Sequence, residues 1–232
     1  MSREHIWPNG FLRRGKFGLK YSSRAKRTFA GDLIVRDVCV VCNNGPLSDL
    51  DAYACKLYES NFGQFPEHLT PVVFEFEYGR LVRWLLKVAF NSARAHGHDD
   101  AGLLDRYRPV ILSDGESSPL YVNVWLALVG PGTLSFPYGR PSKKIYPEAA
   151  RSGPLVVPGV NGYQHVSTRV LMINGYYFTM VLSRTPTMPM DEVGDLLRRL
   201  PGEPLSLDGR MELMTTLNAN QALAGVREWP RG

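Results

Sequence analysis

Near its start the chain reads Glu4-His5-Ile6-Trp7-Pro8 and, after a basic loop, Cys39-Val40-Val41-Cys42-Asn43-Asn44. An acidic residue beside a histidine on a short strand can set a metal ligand next to a general base. The later CxxC-Asn block can form a knuckle and bring a second oxygen ligand to the start of a helix. Successive side chains on a strand point to opposite faces, so Glu4 and His5 can act together only where the chain bends. Pro8, Asn9 and Gly10 supply a bend, and Trp7 is expected to pack beneath it.

Working outward, residues 3–7 and 33–38 read as short strands separated by a long basic loop. Pro46 suits a first helical turn, where its missing N–H costs nothing. Leu47, Leu50, Ala54, Leu57 and Tyr58 then keep helical spacing, which predicts a helix over 46–60. The order is strand, strand, knuckle, helix. Asn61 to Pro66 is the expected boundary, giving a module over 1–62 and an accessory domain over 63–232.

Beyond it, Val72 to Glu77 alternates like a strand. Leu81, Leu85, Val88, Ala89 and Ser92 share one face of a helix over 80–95, and a shorter helix is expected over 101–107. Strands are expected over 121–129, 168–173 and 176–182, the last two joined by Asn174-Gly175, a two-residue hairpin turn. Residues 130–160 read as loop. Helices are expected over 189–199 and, more weakly, over 208–223.

Composition narrows the function classes. Hydrophobic residues make up 44% and charged residues 21% of the 232, ordinary for a globular protein. No apolar run reaches the roughly 18 residues that span a bilayer, so no membrane partner is expected. The N-terminus lacks the apolar stretch of a secretory signal. Three cysteines, two of them in one CxxC, make no disulfide framework, and a cytoplasmic location is the expectation. Walker loops, dinucleotide fingerprints and serine-hydrolase elbows do not occur.

The charge is concentrated. Residues 1–36 carry Arg3, Arg13, Arg14, Lys16, Lys20, Arg24, Lys26, Arg27 and Arg36 against Glu4 and Asp32, a net +7; the remaining residues sum to −2. All the excess positive charge therefore lies beside the candidate site. A phosphodiester backbone would be drawn there. DNA is the expected partner, with RNA open, and Arg3, Arg13, Arg14, Lys16, Lys20, Arg24, Lys26 and Arg27 are the candidate contacts.

The pattern Glu-His-Ile-x-Pro, then Cys-x-x-Cys-Asn, resembles the HNH, or ββα-metal, endonucleases over roughly the first 60 residues. The resemblance implies an α+β chain: an N-terminal ββα-metal (HNH or treble-clef-like) finger, then a helix and antiparallel sheet. It implies phosphodiester hydrolysis, with Glu4 and Asn43 holding Mg²⁺ or Mn²⁺ and His5 as general base. Cys39 and Cys42 would be ligands of a structural zinc. Two departures stand out. Many zinc-stabilised members carry an earlier CxxC, so either a segment precedes Met1 or the finger holds without zinc. Pro46-Leu47-Ser48 stands where members place a histidine or asparagine, as in a divergent bacterial and phage branch. Two other readings stay open: a finger that binds nucleic acid without cutting it, and a structural or protein-interaction role.

Three further groups are noted. Lys87 and Asn91 are expected on the polar edge of a core helix, and His96-Gly97-His98-Asp99-Asp100 in a solvated helix cap. Arg140, Lys143 and Lys144, interleaved with Phe136, Tyr138 and Tyr146, are expected in an exposed loop.

Overall fold

The computed structural model describes residues 1–14, 20–22, 27–29, 33–113, 122–134, 141–147, 150–156, 163–185 and 190–218. Strand β1 (Ser2–His5) leads through Ile6, Trp7 and Pro8 into a short helix α1 (Asn9–Arg14). Strands β2 (Lys20–Ser22) and β3 (Arg27–Phe29) pair with each other, and β4 (Ile34–Val38) returns antiparallel to β1. A single turn α2 (Val40–Cys42) and a π-helical turn at Asn43–Leu47 lead into α3 (Ser48–Leu57), with the backbone kinked out of helical conformation at Gly45 (φ −107°, ψ −110°). A second π-helical turn, Tyr58–Phe62, closes it. Pro46 directly follows the kink at Gly45, where its missing donor costs nothing. The long loop expected between the two strands instead holds, among its described residues, α1 and the β2–β3 pair.

The rest is helices on a mixed sheet. After strand β5 (Pro71–Glu75) come helices α4 (Tyr78–His96), α5 (Ala101–Asp105) and α6 (Arg108–Leu112). They are followed by β6 (Val122–Gly130) and the short pair β7 (Gly132–Leu134) and β8 (Lys143–Ile145). Next come β9 (Ala150–Pro154), β10 (Val166–Ile173), β11 (Tyr176–Ser183), α7 (Met190–Arg199), β12 (Glu203–Pro204) and β13 (Arg210–Asn218). The main sheet runs β5-β13-β6-β11-β10-β9, with β12 also on β6; β13 and β6 are parallel and the other pairs antiparallel. The chain is therefore α+β.

The β10–β11 hairpin turns at Asn174-Gly175 as expected, with Asn174 left-handed at φ 49°. Its side-chain amide donates to the Phe62 carbonyl at 2.7 Å, so the turn is also tied to the end of the N-terminal helical run. A side chain at Gly175 would meet the Val129 carbonyl oxygen at 2.6 Å.

Alternation along β6 sends Val124, Leu126 and Leu128 to one face of the sheet and Trp125 to the other. The second face is covered by α7 through Val193, Leu196 and Leu200, which pack with Trp125, Val166 and Val181. Helix α4 is buried on nearly every side because it packs against α3 and β4 as well as β9 and β10. One apolar cluster runs from Ile6, Trp7 and Phe11 through Phe62 and Trp84 to Phe178 and Leu213. Ring centroids lie 6.1 Å apart for Trp7–Trp84, 6.3 Å for Phe62–Trp84 and 5.9 Å for Phe62–Phe178. The expected division after residue 62 is crossed by this shared core.

One expected element is corrected. The helix over 208–223 is, as far as residue 218, strand β13. Met211, Leu213 and Thr215 are buried while Glu212 and Met214 are exposed, a period of two. Pairing with β5 and β6 on either side overrides helical propensity. The expected loop over 130–160 holds β7, β8 and β9. No helix among the described residues is long and apolar enough to cross a membrane.

Candidate functional site

The quoted segments do meet. In the β1–β4 ribbon, Ser2 pairs with Val38, Glu4 with Val35 and His5 with Ile34, with an irregularity between Ser2 and Glu4. The Asn43 side-chain amide donates to the Arg3 carbonyl at 3.0 Å, which fastens the knuckle to β1. Asn43 is thus one peptide unit from Glu4 in the strand it touches.

Glu4 points inward and is 6% exposed, whereas His5 is half-buried at the strand end. The Glu4 carboxylate contacts the ammonium of Lys87 on α4, and the same Nζ donates to Asp51 Oδ1 on α3 at 2.7 Å. Lys87 is 1% exposed. Burial raises the Glu4 carboxyl above its ordinary range, and the Lys87 charge and hydrogen bond work against that rise. Three elements therefore converge on one cation. The Lys87 ammonium sits on Oε1, one of the two Glu4 carboxylate oxygens. Among the described residues no group of three or more His, Cys, Asp or Glu is arranged to hold a metal.

Cys39 and Cys42 form a turn of knuckle type. Cys39 caps α2, its Sγ accepting the Cys42 backbone N–H at 3.1 Å, and the Asn43 N–H donates to the Cys39 carbonyl at 3.0 Å. Cys39 is exposed and Cys42 half-buried. Hydrogen bonding from the Cys42 thiol and backbone holds the Cys39 thiol below its ordinary range, and the same thiol contact raises Cys42. The pair supplies two sulfurs, where a structural zinc takes four ligands. Cys55 packs on α1, where a side chain at Gly10 would meet its Sγ at 2.5 Å.

The basic residues divide. Arg3 and Arg36 are exposed on the ribbon, and Arg13 is exposed at the end of α1. Arg14 is exposed and pairs with Glu59 at 2.6 Å. Lys20 lies opposite Phe29, and Arg27 opposite Ser22, in the β2–β3 pair. Lys16, Arg24 and Lys26 lie outside the described residues. Asp37, beside Arg36, is taken by Arg94 of α4, whose hydrogen bond holds the Asp37 carboxyl low.

Lys87 and Asn91 are not on a polar edge: both are buried, at 1% and 4% exposure. Asp51 joins Glu4 at Lys87, and no motif in the sequence points to it. The signal in the sequence was a lysine inside an otherwise apolar helical run; its carboxylate partners are too distant along the chain for spacing to reveal. The cap after α4 is also more than solvated polar residues. Gly97 ends the helix in the left-handed conformation. Asp100 then turns inward to a fully buried Arg169, whose Nη1 donates to both carboxylate oxygens at 2.6 and 2.7 Å. Arg169 Nη2 lies 3.3 Å from His98 Nδ1, and burial together with the Arg169 charge pushes His98 down to about 4. Lys143 and Lys144 are exposed as expected; Lys144 bonds Glu67 at 2.6 Å and lies over the Tyr146 ring. Phe136, Tyr138 and Arg140 lie outside the described residues.

Comparison with protein-family models, with curated proteins and with solved structures found no match to this chain.

Proposed function

We propose that this chain is a nucleic-acid-binding module that grips the phosphate backbone through its N-terminal basic segment. The observation that carries the reading is the net +7 of residues 1–36 against −2 for the remainder. The geometry supports it by leaving Arg3, Arg13 and Arg36 exposed around the β1–β4 ribbon. A two-stranded ribbon is narrow enough to enter a major groove, and its arginines would then meet phosphates on the groove walls. The engagement of Glu4 by Lys87 favours binding over hydrolysis.

A second reading, divalent-metal hydrolysis of a phosphodiester with His5 as general base, is favoured by one observation. Asn43 is brought to β1, hydrogen-bonded to the carbonyl beside Glu4.

Fluorescence anisotropy of a labelled DNA duplex, titrated with the full chain across a salt series, tests the first reading. Log affinity should fall linearly with log salt, and Arg3→Ala with Arg36→Ala should flatten the slope by roughly 1.8, about 0.9 for each lost phosphate contact. Absence of binding at low salt, or an unchanged slope, refutes it. Plasmid nicking that needs Mg²⁺ or Mn²⁺ and vanishes in His5→Ala would establish the second.

A further inference from the structure

We propose that Lys87 is a built-in cation: its ammonium takes the place between Glu4 and Asp51 that a divalent ion would fill. The ion cluster that fastens β1 to α3 and α4 is then complete without metal. The cluster holds the N-terminal strand whether or not the chain binds nucleic acid.

Lys87 Nζ contacts Glu4 and lies 2.7 Å from Asp51 Oδ1. That separation is close to the ~2.3–2.6 Å at which Ca²⁺ holds carboxylate oxygens, and both carboxylates are aimed at the same point. The three groups come from three elements: Glu4 from β1, Asp51 from α3 and Lys87 from α4. A hydrated ion cannot share it, because the lysine arrives through the core of α4 and is 1% exposed. Two carboxylates facing one buried point need a positive charge there. Lys87 supplies it from within the chain, which gives Glu4 a task other than metal ligation. Truncating the lysine empties the point while leaving both carboxylates, and a divalent ion with its waters becomes the natural replacement.

The test uses the full chain and thermal unfolding in EDTA, CaCl₂ or MnCl₂, with calorimetric titration of the same ions. The wild type should melt at the same temperature in all three solutions and bind neither ion at this point. Lys87→Ala should melt lower in EDTA and recover with Ca²⁺ or Mn²⁺, rising by about 5 °C or more at a hundredfold excess over Kd. Adding Glu4→Gln to Lys87→Ala should abolish the recovery. If Lys87→Ala does not fold in EDTA, it should refold when either ion is present; failure in both solutions overturns the proposal. So does a Lys87→Ala protein as stable as the wild type, or one that neither ion stabilises. A wild type that binds Mn²⁺ and loses it on Glu4→Gln overturns it from the other side, needing no lysine variant.

Discussion

Asp100→Ala should be among the most damaging substitutions of a polar residue in this chain. Asp100 is the counter-charge of Arg169, which is 0% exposed in the middle of β10. Arg169 Nη1 donates to both Asp100 oxygens, and Ser167 Oγ donates to one of them at 3.2 Å. Removing the carboxylate leaves a guanidinium buried without its partner, a change that costs about 3–5 kcal/mol. For a chain of this size each kcal/mol lowers Tm by about 2–4 °C, so the fall should be about 6–20 °C. Removing both charges should behave differently. The buried Arg169 Nε has no hydrogen-bond partner among the described residues, so the pair is imperfectly satisfied even when intact. Arg169→Met with Asp100→Leu should therefore lie within about 1–2 kcal/mol of the wild type, well above Asp100→Ala alone. Urea unfolding of the three proteins, with the slope checked for constancy, measures both numbers. An Asp100→Ala variant that loses less than about 1 kcal/mol would refute the reasoning, since it would mean that water reaches Arg169 in the native state.

The same network sets a pH dependence. His98 titrates at about 4 in the folded chain, below the ordinary 6.5, so between those values the unfolded chain binds the extra proton. Its contribution to stability should be full above pH 6.5 and lost as pH falls toward 4; Arg169→Met should bring the His98 pKa back up, read by NMR titration of the imidazole. At the hairpin, Asn174→Gly keeps the left-handed turn and loses only the bond to the Phe62 carbonyl, whereas Asn174→Ala loses both. The alanine variant should be the less stable of the two by about 1 kcal/mol in urea unfolding, the cost of forcing a β-carbon into that conformation.

Much of the fold was legible because its signals are local. The Asn-Gly hairpin and the apolar stripe of α4 each rest on spacing within a dozen residues, and each appears close to its expected bounds. The failure at β13 has the opposite character. Met211, Leu213 and Thr215 alternate correctly for a strand, yet the segment is short of β-branched residues and follows a turn that also suits a helix start. What decides it is β5 on one side and β6 on the other, and no local pattern records a parallel neighbour as far back in the chain as Leu128 is from Thr215. The shared core is hidden for the same reason. The stretch from Asn61 to Pro66 reads as a boundary, but Phe62 within it stacks on Trp84 and meets Phe178 edge to face.

At the candidate site the residues of the motif were visible and their use was not. A motif names side chains in order; what each does depends on what faces it across the fold. Asn43 reaches β1, so the spacing from Glu4 to the CxxC-Asn block carried real information about proximity. Glu4 also lands beside a cation, as a metal ligand must, but the cation is an ammonium delivered by a helix that begins after the motif has ended. A lysine within Leu85-Leu86-Lys87-Val88-Ala89 is compatible with a snorkelling surface position, and only the packing of α4 against α3 and β4 removes that option. Burial then forces the pairing: an ammonium at 1% exposure needs carboxylates, and Glu4 and Asp51 are the two within reach. The step from sequence to chemistry thus turns on one buried charge, and replacing Lys87 separates a strand held by an internal cation from one that awaits a metal.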